Sequence, residues 1–182
     1  MNKEIRILLY SSNLWYFGEG MLGPLFAVFA KRVGGDILYI SWAWGLYLII
    51  AGVLTIFFGK ISDKKKISKK TLLICGYSLN TIFTFGYLLV SSTLHLFLVQ
   101  AGLGVAAALA TPTWDALYAK YEDKQKRGYL WGMAGGQGQI FTGVSLVLGG
   151  LIVNQFSFQF LFIVMGTIQL IATIYQAQIL QK

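Results

Sequence analysis

The chain has 182 residues, of which 56% are hydrophobic and only 12% are charged, and its net charge is +8. A soluble domain of this size carries about 25% charged residues. The charges are also clustered, because residues 71–114 and 128–181 contain no Asp, Glu, Lys or Arg. About 20 apolar residues span a bilayer, so these runs predict an integral membrane protein and exclude a soluble domain. No alternation of apolar and polar residues, as in barrel strands, is found, so we expect helical spans.

The apolar runs predict an all-α membrane protein with six spans in a single domain, residues 1–182. The few residues before the first run lead directly into a membrane-length stretch. We therefore interpret this stretch as the first helix and not as a cleaved signal peptide. The expected spans are residues 7–30, 37–58, 71–92, 96–119, 128–153 and 158–180.

Basic residues predict the orientation of these spans. The segment Gly59–Lys70, between the second and third spans, contains six lysines. Loops on this side of the membrane hold 13 basic residues, against Lys31 and Arg32 on the other side. Because basic loops stay in the cytoplasm, we expect both termini there, in a multi-pass protein of the plasma (inner) membrane with one orientation. Topology then explains the lysines, and no nucleic-acid partner is expected.

No enzymatic site is recognisable in the sequence. Cys75 is the single cysteine and lies in an apolar run, and the single histidine, His95, lies next to a predicted loop. One cysteine and one histidine cannot form a disulfide or a metal cluster, and the sequence contains no nucleophile elbow or phosphate loop. No catalytic residue, metal or cofactor is therefore expected. The expected partners include the lipid bilayer and a small-molecule solute.

Two glycine series predict an internal repeat. Glycines recur every seven residues in the second span and again in the fifth, at an offset of 91 residues. With three spans in each half, repeat one (about residues 1–91) would begin inside and repeat two (about 92–182) outside, so the halves would be inverted. Chance is the alternative, because the chain has 21 glycines. The series are Gly45, Gly52 and Gly59, and Gly136, Gly143 and Gly150.

Several short motifs fit this organisation. The loop after the second span reads Gly-x-Ile-Ser-Asp-Lys from Gly59 to Lys64, and Arg127-Gly128 opens the fifth span. Pro24-Leu25 lies in the first span and Gly149-Gly150 in the fifth. Together with six spans and inverted repeats, these motifs resemble one half of a major facilitator superfamily transporter. The resemblance implies solute transport by alternating access, with the first and fourth spans lining a central cavity.

The resemblance also implies a partner. A family member normally has two six-helix halves with the substrate site between them, whereas this sequence has one half. We therefore expect a second copy of the chain, in a parallel homodimer because every copy inserts the same way up. The alternative is a non-transporting or accessory membrane subunit that pairs with another half-size chain. Leu98 stands where the family has a span-four arginine, which modestly favours that alternative.

Polar residues within the spans are candidates for a substrate or coupling site. At Glu19, midway along the first span, a carboxylate costs about 2.5–3.5 kcal/mol unless it faces water, a partner or is protonated. We interpret it as a coupling or substrate-binding acid, with a neutral acid bonded between helices as the alternative. Asp115 is interpreted first as a structural pair or gate close to Arg127, and second as a substrate contact. The other candidates are Asn13, Trp15, Gln100, Trp114 and Gln137, which suit a neutral polar solute, with helix bridging as the alternative for each amide.

Two further sets follow from the resemblance. The gating loop comprises Gly59, Asp63, Lys64 and Arg127, and Asp63 is expected near the start of the fifth span of the second subunit. A carboxylate at that helix N-terminus is favoured by up to about 1 kcal/mol. The glycine faces permit close helix approach between subunits, with packing inside one subunit as the alternative. The expected interface residues are Gly45, Gly52, Gly132, Gly136 and Gly143.

Overall fold

The computed structural model describes residues 1–64 and 67–180, within which the chain forms seven α-helices. Short 3-10 turns follow α4 and α7 and precede α6. Of the predicted basic loops, Lys65, Lys66 and Lys182 lie outside the described residues. The helices are α1 (Lys3–Gly20), α2 (Leu25–Arg32), α3 (Ile37–Asp63), α4 (Lys69–Gly86), α5 (Thr93–Tyr121), α6 (Arg127–Gln155) and α7 (Phe158–Ala177).

Five of the helical segments are long and apolar enough to cross a membrane. Each of them coincides with one of the second to sixth predicted spans, so the prediction of a multi-pass helical membrane protein is confirmed. The bounds of the observed segments lie within a few residues of the predicted ones. They are Ile37–Asp63, Lys69–Leu89, Thr93–Tyr121, Lys124–Gln155 and Phe158–Leu180.

The prediction of one continuous first helix over residues 7–30 is wrong. Helix α1 ends at Gly20, four residues of turn follow, and α2 begins at Leu25. Pro24 explains the break, because proline has no N–H to donate and its ring clashes with the carbonyl group four residues earlier, here that of Gly20. The helical hydrogen-bond pattern resumes directly after the break, since the Phe26 N–H donates to the Leu22 carbonyl oxygen at 3.0 Å.

Polar side chains fix the starts of several helices. Asp36 accepts hydrogen bonds from the backbone N–H groups of Leu38 and Tyr39, at 2.9 and 3.0 Å, and so caps α3. Ser92 caps α5 and Ser157 caps α7 in the same way. These are residue types that satisfy free N–H groups at a helix start, and they fix where the observed helices begin.

The helices pack unequally. Helix α5 packs against α3 and α4, α1 packs against α6 and α7, and α4 packs against α7. Helices α3 and α6 therefore lie at the edges of the bundle. Only 6% of the most apolar stretch of α3 and 17% of that of α6 are buried, compared with 56% for α5. Two outer helix faces are thus left uncovered by this chain.

Glycine permits the closest approach between inner helices. A Cβ atom at position 76 on α4 would lie 2.8 Å from the Ala106 carbonyl oxygen and 2.9 Å from the Ala110 Cβ atom on α5. Distances below 3.0 Å require atoms to move, and here one of them belongs to helix backbone. Helices α4 and α5 can therefore keep this spacing only with glycine at position 76.

We predict that Gly76→Ala lowers the stability of the bundle by about 1–3 kcal/mol, because the added methyl group overpacks the α4–α5 contact. The matched control is Gly86→Ala on the same helix, where the nearest atom to an added Cβ is Val99 Cγ2 at 3.4 Å, an ordinary contact. Thermal denaturation of both variants in mild detergent gives the comparison. Equal midpoints for the two variants would contradict the proposed close approach.

Candidate functional site

The break after α1 opens a cavity beside Glu19. The cavity has a volume of about 100 Å³ and is walled by residues of α1, α2, α3, α4, α5 and α7. Gln100 of α5 lines the same cavity and accepts a hydrogen bond from the Tyr87 hydroxyl at 3.0 Å, which fixes its side chain in the wall. The structure therefore brings together two of the predicted site residues, Glu19 and Gln100, from the first and fourth predicted spans.

Aromatic side chains form much of this wall. The residues that line the cavity beside Glu19 and Gln100 include Phe26, Trp44, Tyr47 and Tyr87. Sequence analysis missed these four as site residues, and Trp44 in particular lies at the start of an apolar span, where a membrane-interface role is the common one. No spacing in the sequence distinguishes it from the neighbouring Trp42, because only the packing of α3 on α5 decides which ring faces inwards.

A second cavity contains three more of the predicted residues. Trp15, Trp114 and Asp115 line a space of about 80 Å³ together with Tyr16 and Tyr77. The Trp15 and Tyr77 rings are 4.6 Å apart. Five of the seven predicted substrate and coupling residues are therefore divided between two cavities, one at Glu19 and one at Asp115.

Asn13 and Gln137 contact each other and line neither cavity. The Asn13 side-chain amide of α1 donates to Gln137 Oε1 of α6 at 2.9 Å. Asn13 is buried, and its own Oδ1 atom has no hydrogen-bond partner within the part of the chain that the structure describes. This pair forms a helix-to-helix bridge, the role that was the alternative for these amides.

The expected proximity of Asp115 to Arg127 is not observed as an ion pair. Arg127 Nε donates to Glu122 Oε1 at 2.5 Å, and Trp131 Nε1 donates to Glu122 Oε2 at 2.6 Å. The Glu122 side chain is fully buried. Sequence analysis missed Glu122, although a carboxylate five residues before an arginine at a helix start was a usable signal. Glu122 thus joins the end of α5 to the start of α6.

Asp115 instead opens onto a groove shared with the gating loop. Gly59, Asp63 and Asp115 line this groove together with Trp131. Asp63 pairs with Lys69 at 2.9 Å across the loop, and its side chain stays 78% exposed. Lys64 follows directly as the last residue described before the gap. Three of the four predicted gating residues therefore lie near one end of α3, and Arg127 lies in the Glu122 cluster.

The predicted interface glycines have no neighbours within this chain. A Cβ atom added at any of them would meet nothing within 4 Å, whereas Gly138 of α6 is in contact with Tyr16 of α1. Gly136 lies two residues from Gly138, or about 200° around the helix, so it faces the other side of α6. Packing of the predicted interface glycines inside one subunit, the alternative, is not observed. The open positions on α3 and α6 are Gly45, Gly52, Gly59, Gly128, Gly132, Gly135, Gly136, Gly143 and Gly150.

Five helical segments long and apolar enough to cross a membrane define a multi-pass membrane protein. Comparison with known families makes this specific, because the profile of the Major Facilitator Superfamily matches residues 8–179. The chain therefore belongs to the major facilitator superfamily, as the motifs of its loops predicted.

Two relatives place the chain within that superfamily. An uncharacterized MFS-type transporter of Methanocaldococcus jannaschii is 23% identical over 174 residues, covering 96% of this chain. An uncharacterized MFS-type transporter of Bacillus subtilis is 21% identical over 147 residues, covering 81% of this chain. The match spans 45% of the archaeal protein and 88% of the bacterial one. This chain is thus half the size of one relative and close to the size of the other.

We predict that Glu122→Ala lowers stability by about 1–3 kcal/mol, because the Arg127 and Trp131 side chains each lose a hydrogen bond to a charged group. Asp123→Ala is the control, since that acid is exposed and caps only a short turn. Thermal denaturation followed by tryptophan fluorescence reports both stability and the surroundings of Trp131. An unchanged midpoint for Glu122→Ala would show that the cluster does not hold α5 to α6.

Proposed function

We propose that this protein is a half-size transporter that moves a small solute by alternating access as a parallel homodimer. The observation that carries the proposal is the pair of uncovered helix faces on α3 and α6, whose glycines contact nothing in their own chain. Small residues on a membrane helix allow another helix to approach closely. In the superfamily, these two helices of one half pack against the other half, so a second copy is the partner that they fit.

Polar groups on the open side support the same arrangement. Asp115 and Gln139 are exposed in the single chain, on α5 and α6. A carboxylate or amide that faces lipid is costly, so such groups in membrane spans face water or protein. A second copy would enclose them in a water-filled space between the subunits, where a substrate passes.

The helix contacts support two inverted repeats. Exchanging α1 with α5, α3 with α6 and α4 with α7 converts the α1–α6 contact into α3–α5 and the α1–α7 contact into α4–α5. The α4–α7 contact exchanges with itself. These are all of the extensive helix contacts in the described part of the chain. On this view α1 and α2 together form a broken first span, which gives three spans per repeat and both termini in the cytoplasm.

Glu19 is the proposed coupling acid. The two ion pairs among residues 1–64 and 67–180 are Lys69–Asp63 and Arg127–Glu122, so Glu19 belongs to neither. A carboxylate without a basic partner inside a membrane protein can take up and release a proton as the cavity opens to either side. Proton coupling through Glu19 is therefore part of the proposed transport cycle.

We predict that Gly136→Leu and Gly52→Leu weaken the dimer at least tenfold. Neither position has an atom of its own chain nearby, so the leucine side chains would obstruct only a second copy and leave the fold of the monomer intact. Thr167→Leu on the exposed face of α7 is the control for added bulk away from α3 and α6. Subunit counting by single-molecule photobleaching in lipid nanodiscs gives the oligomeric state.

Two outcomes of this experiment would contradict the homodimer. The first is a wild-type chain that stays monomeric at high protein density, and the second is dimerisation of the leucine variants with unchanged affinity. A monomeric chain that co-purifies with a different six-helix protein would instead support the accessory-subunit alternative.

We predict that Asp63→Asn shifts the dimer towards the inward-open state. In the proposed dimer, the Asp63 carboxylate lies at the start of α6 of the second subunit and stabilises the outward-open state, so its removal makes that state less stable. The reporter is Thr111→Cys in a Cys75→Ser background, since Thr111 lines the Asp115 cavity. The rate at which a thiol reagent added on the cytoplasmic side labels this introduced cysteine should rise several-fold. Asp123→Asn, which changes an exposed acid in the α5–α6 connection, is the control. An equal labelling rate with and without Asp63 would exclude this carboxylate as a latch.

A further inference from the structure

We propose that the Glu19 cavity binds a small organic cation, a methyl-substituted ammonium group, between the carboxylate and a wall of aromatic rings. The proposal rests on the proposed function for its role in transport. The site itself is inferred from the composition and geometry of the cavity. These differ from what a neutral polar solute would need, which is the ligand that the amide side chains favoured in the sequence analysis.

The cavity holds one carboxylate and no basic partner for it. No lysine or arginine is among the residues that line it, and both ion pairs of the described chain lie elsewhere. Residues 71–114, which supply the α4 and α5 walls, contain no lysine or arginine. An ionised Glu19 therefore has no compensating charge from the described protein, and a bound cation would supply it.

The aromatic rings suit a substituted ammonium ion better than a metal ion or a primary amine. Phe26 and Trp44 have ring centroids 5.7 Å apart, and Trp44 and Tyr47 are also 5.7 Å apart. They form a continuous aromatic wall contributed by α2 and α3. Aromatic faces attract cations within about 6 Å, and cages of such rings recognise methylated ammonium groups, which have no N–H donors or few.

The Tyr87 ring forms a further part of the cavity wall. It stacks on Phe162 of α7, with ring centroids 5.0 Å apart and planes inclined by 16°, and its hydroxyl is engaged by Gln100. The ring is therefore fixed by neighbours on α5 and α7 and does not need a ligand to order it. Glu19 is the one charged group in a lining that is otherwise mostly apolar.

The size of the cavity limits the ligand. Its volume of about 100 Å³ is smaller than the cavity of about 150 Å³ that holds benzene in another protein. A quaternary ammonium head with four methyl groups is somewhat larger than benzene, so it would fill the cavity and reach its open side, and a drug-sized cation would have to extend well through that side.

The same chemistry recurs at the Asp115 cavity. There a single carboxylate lies with Tyr16, Tyr77 and Trp114, again without a lysine or arginine in the lining. The two carboxylates lie on α1 and α5, the helices expected to line the transport path, and each has aromatic neighbours. They provide two binding sites for the same class of ligand. A neutral solute would need neither of them.

The test is equilibrium binding of tetramethylammonium to the full chain in lipid nanodiscs, measured by tryptophan fluorescence and by calorimetry. tert-Butanol, a neutral molecule of similar shape and size, is the ligand control. We expect saturable binding of tetramethylammonium and none of tert-butanol. Glu19→Gln should weaken binding at least tenfold, and Glu4→Gln in the first turn of α1 should leave it unchanged.

A tryptophan pair tests the aromatic wall separately from the charge. Trp44→Leu should weaken binding several-fold, whereas Trp42→Leu, two residues away and outside the cavity lining, should not. The unfolding midpoint of each variant is measured without ligand, so that a folding defect is recognised. If Glu19→Gln does not fold, the Trp44 and Trp42 variants still decide the question.

Several outcomes would overturn the cation site. They are the absence of saturable tetramethylammonium binding, equal binding of tert-butanol, unchanged binding by folded Glu19→Gln, or equal effects of the two tryptophan variants. Uptake of radiolabelled tetramethylammonium into proteoliposomes separates this inference from the proposed function. Binding without uptake would overturn transport and leave the site intact, whereas uptake of another solute without cation binding would overturn the site and leave transport intact.

Discussion

The break between α1 and α2 is the constraint on which the candidate site depends. Because Pro24 cannot continue the hydrogen-bond ladder of α1, the chain turns directly after Gly20 and places Glu19 in the last turn of a helix. Leu22 and Gly23 of the turn and Phe26 of α2 then line the cavity together with Glu19. The second proline, Pro112, lies inside α5 without ending it.

Glycines serve two different purposes in this fold, and their surroundings separate them. On α6, Gly138 and Gly149 lie against α1, and the Gly149 position approaches the Met21 carbonyl group so closely that no larger residue fits. Gly136 and Gly143 of the same helix face away from the chain. Helix α6 thus has one glycine face that packs against its own chain and another that is unoccupied. The second face is free to contact a helix of another molecule.

Much of the fold could be predicted from sequence because membrane spans are long, apolar and nearly free of charged residues. The superfamily was also recognisable, since the pattern at Gly59 and Asp63 is local in the chain. The break in the first span was not predicted, although Gly20, Gly23 and Pro24 together gave the signal. The pairing of Arg127 was not predicted either, because a charge can select among several nearby carboxylates.

The candidate site was predictable only in part, for a physical reason. Polar residues such as Glu19 and Gln100 stand out in an apolar span, but the rings around them are as apolar as the residues that pack in the core or face lipid. Trp44 and Trp42 are indistinguishable until α3 is docked on α5, where the Gly104 position lies 2.8 Å from the Tyr47 carbonyl oxygen for an added Cβ atom. That close contact fixes the rotation of α3 about its axis, and with it the ring that enters the cavity.

The same close contacts determine where motion can occur. A Cβ atom added at Gly20 or Gly104 would overlap the neighbouring helix, so α1 and α6, and likewise α3 and α5, pack closely at these glycines. Packed interiors of this kind move as units, because small displacements create overlaps or voids that cost free energy. In the proposed dimer, alternating access would occur by movement between the two rigid subunits, along the open faces of α3 and α6. The Glu19 cavity would then change its accessibility through what the second subunit covers, with little rearrangement of its own wall.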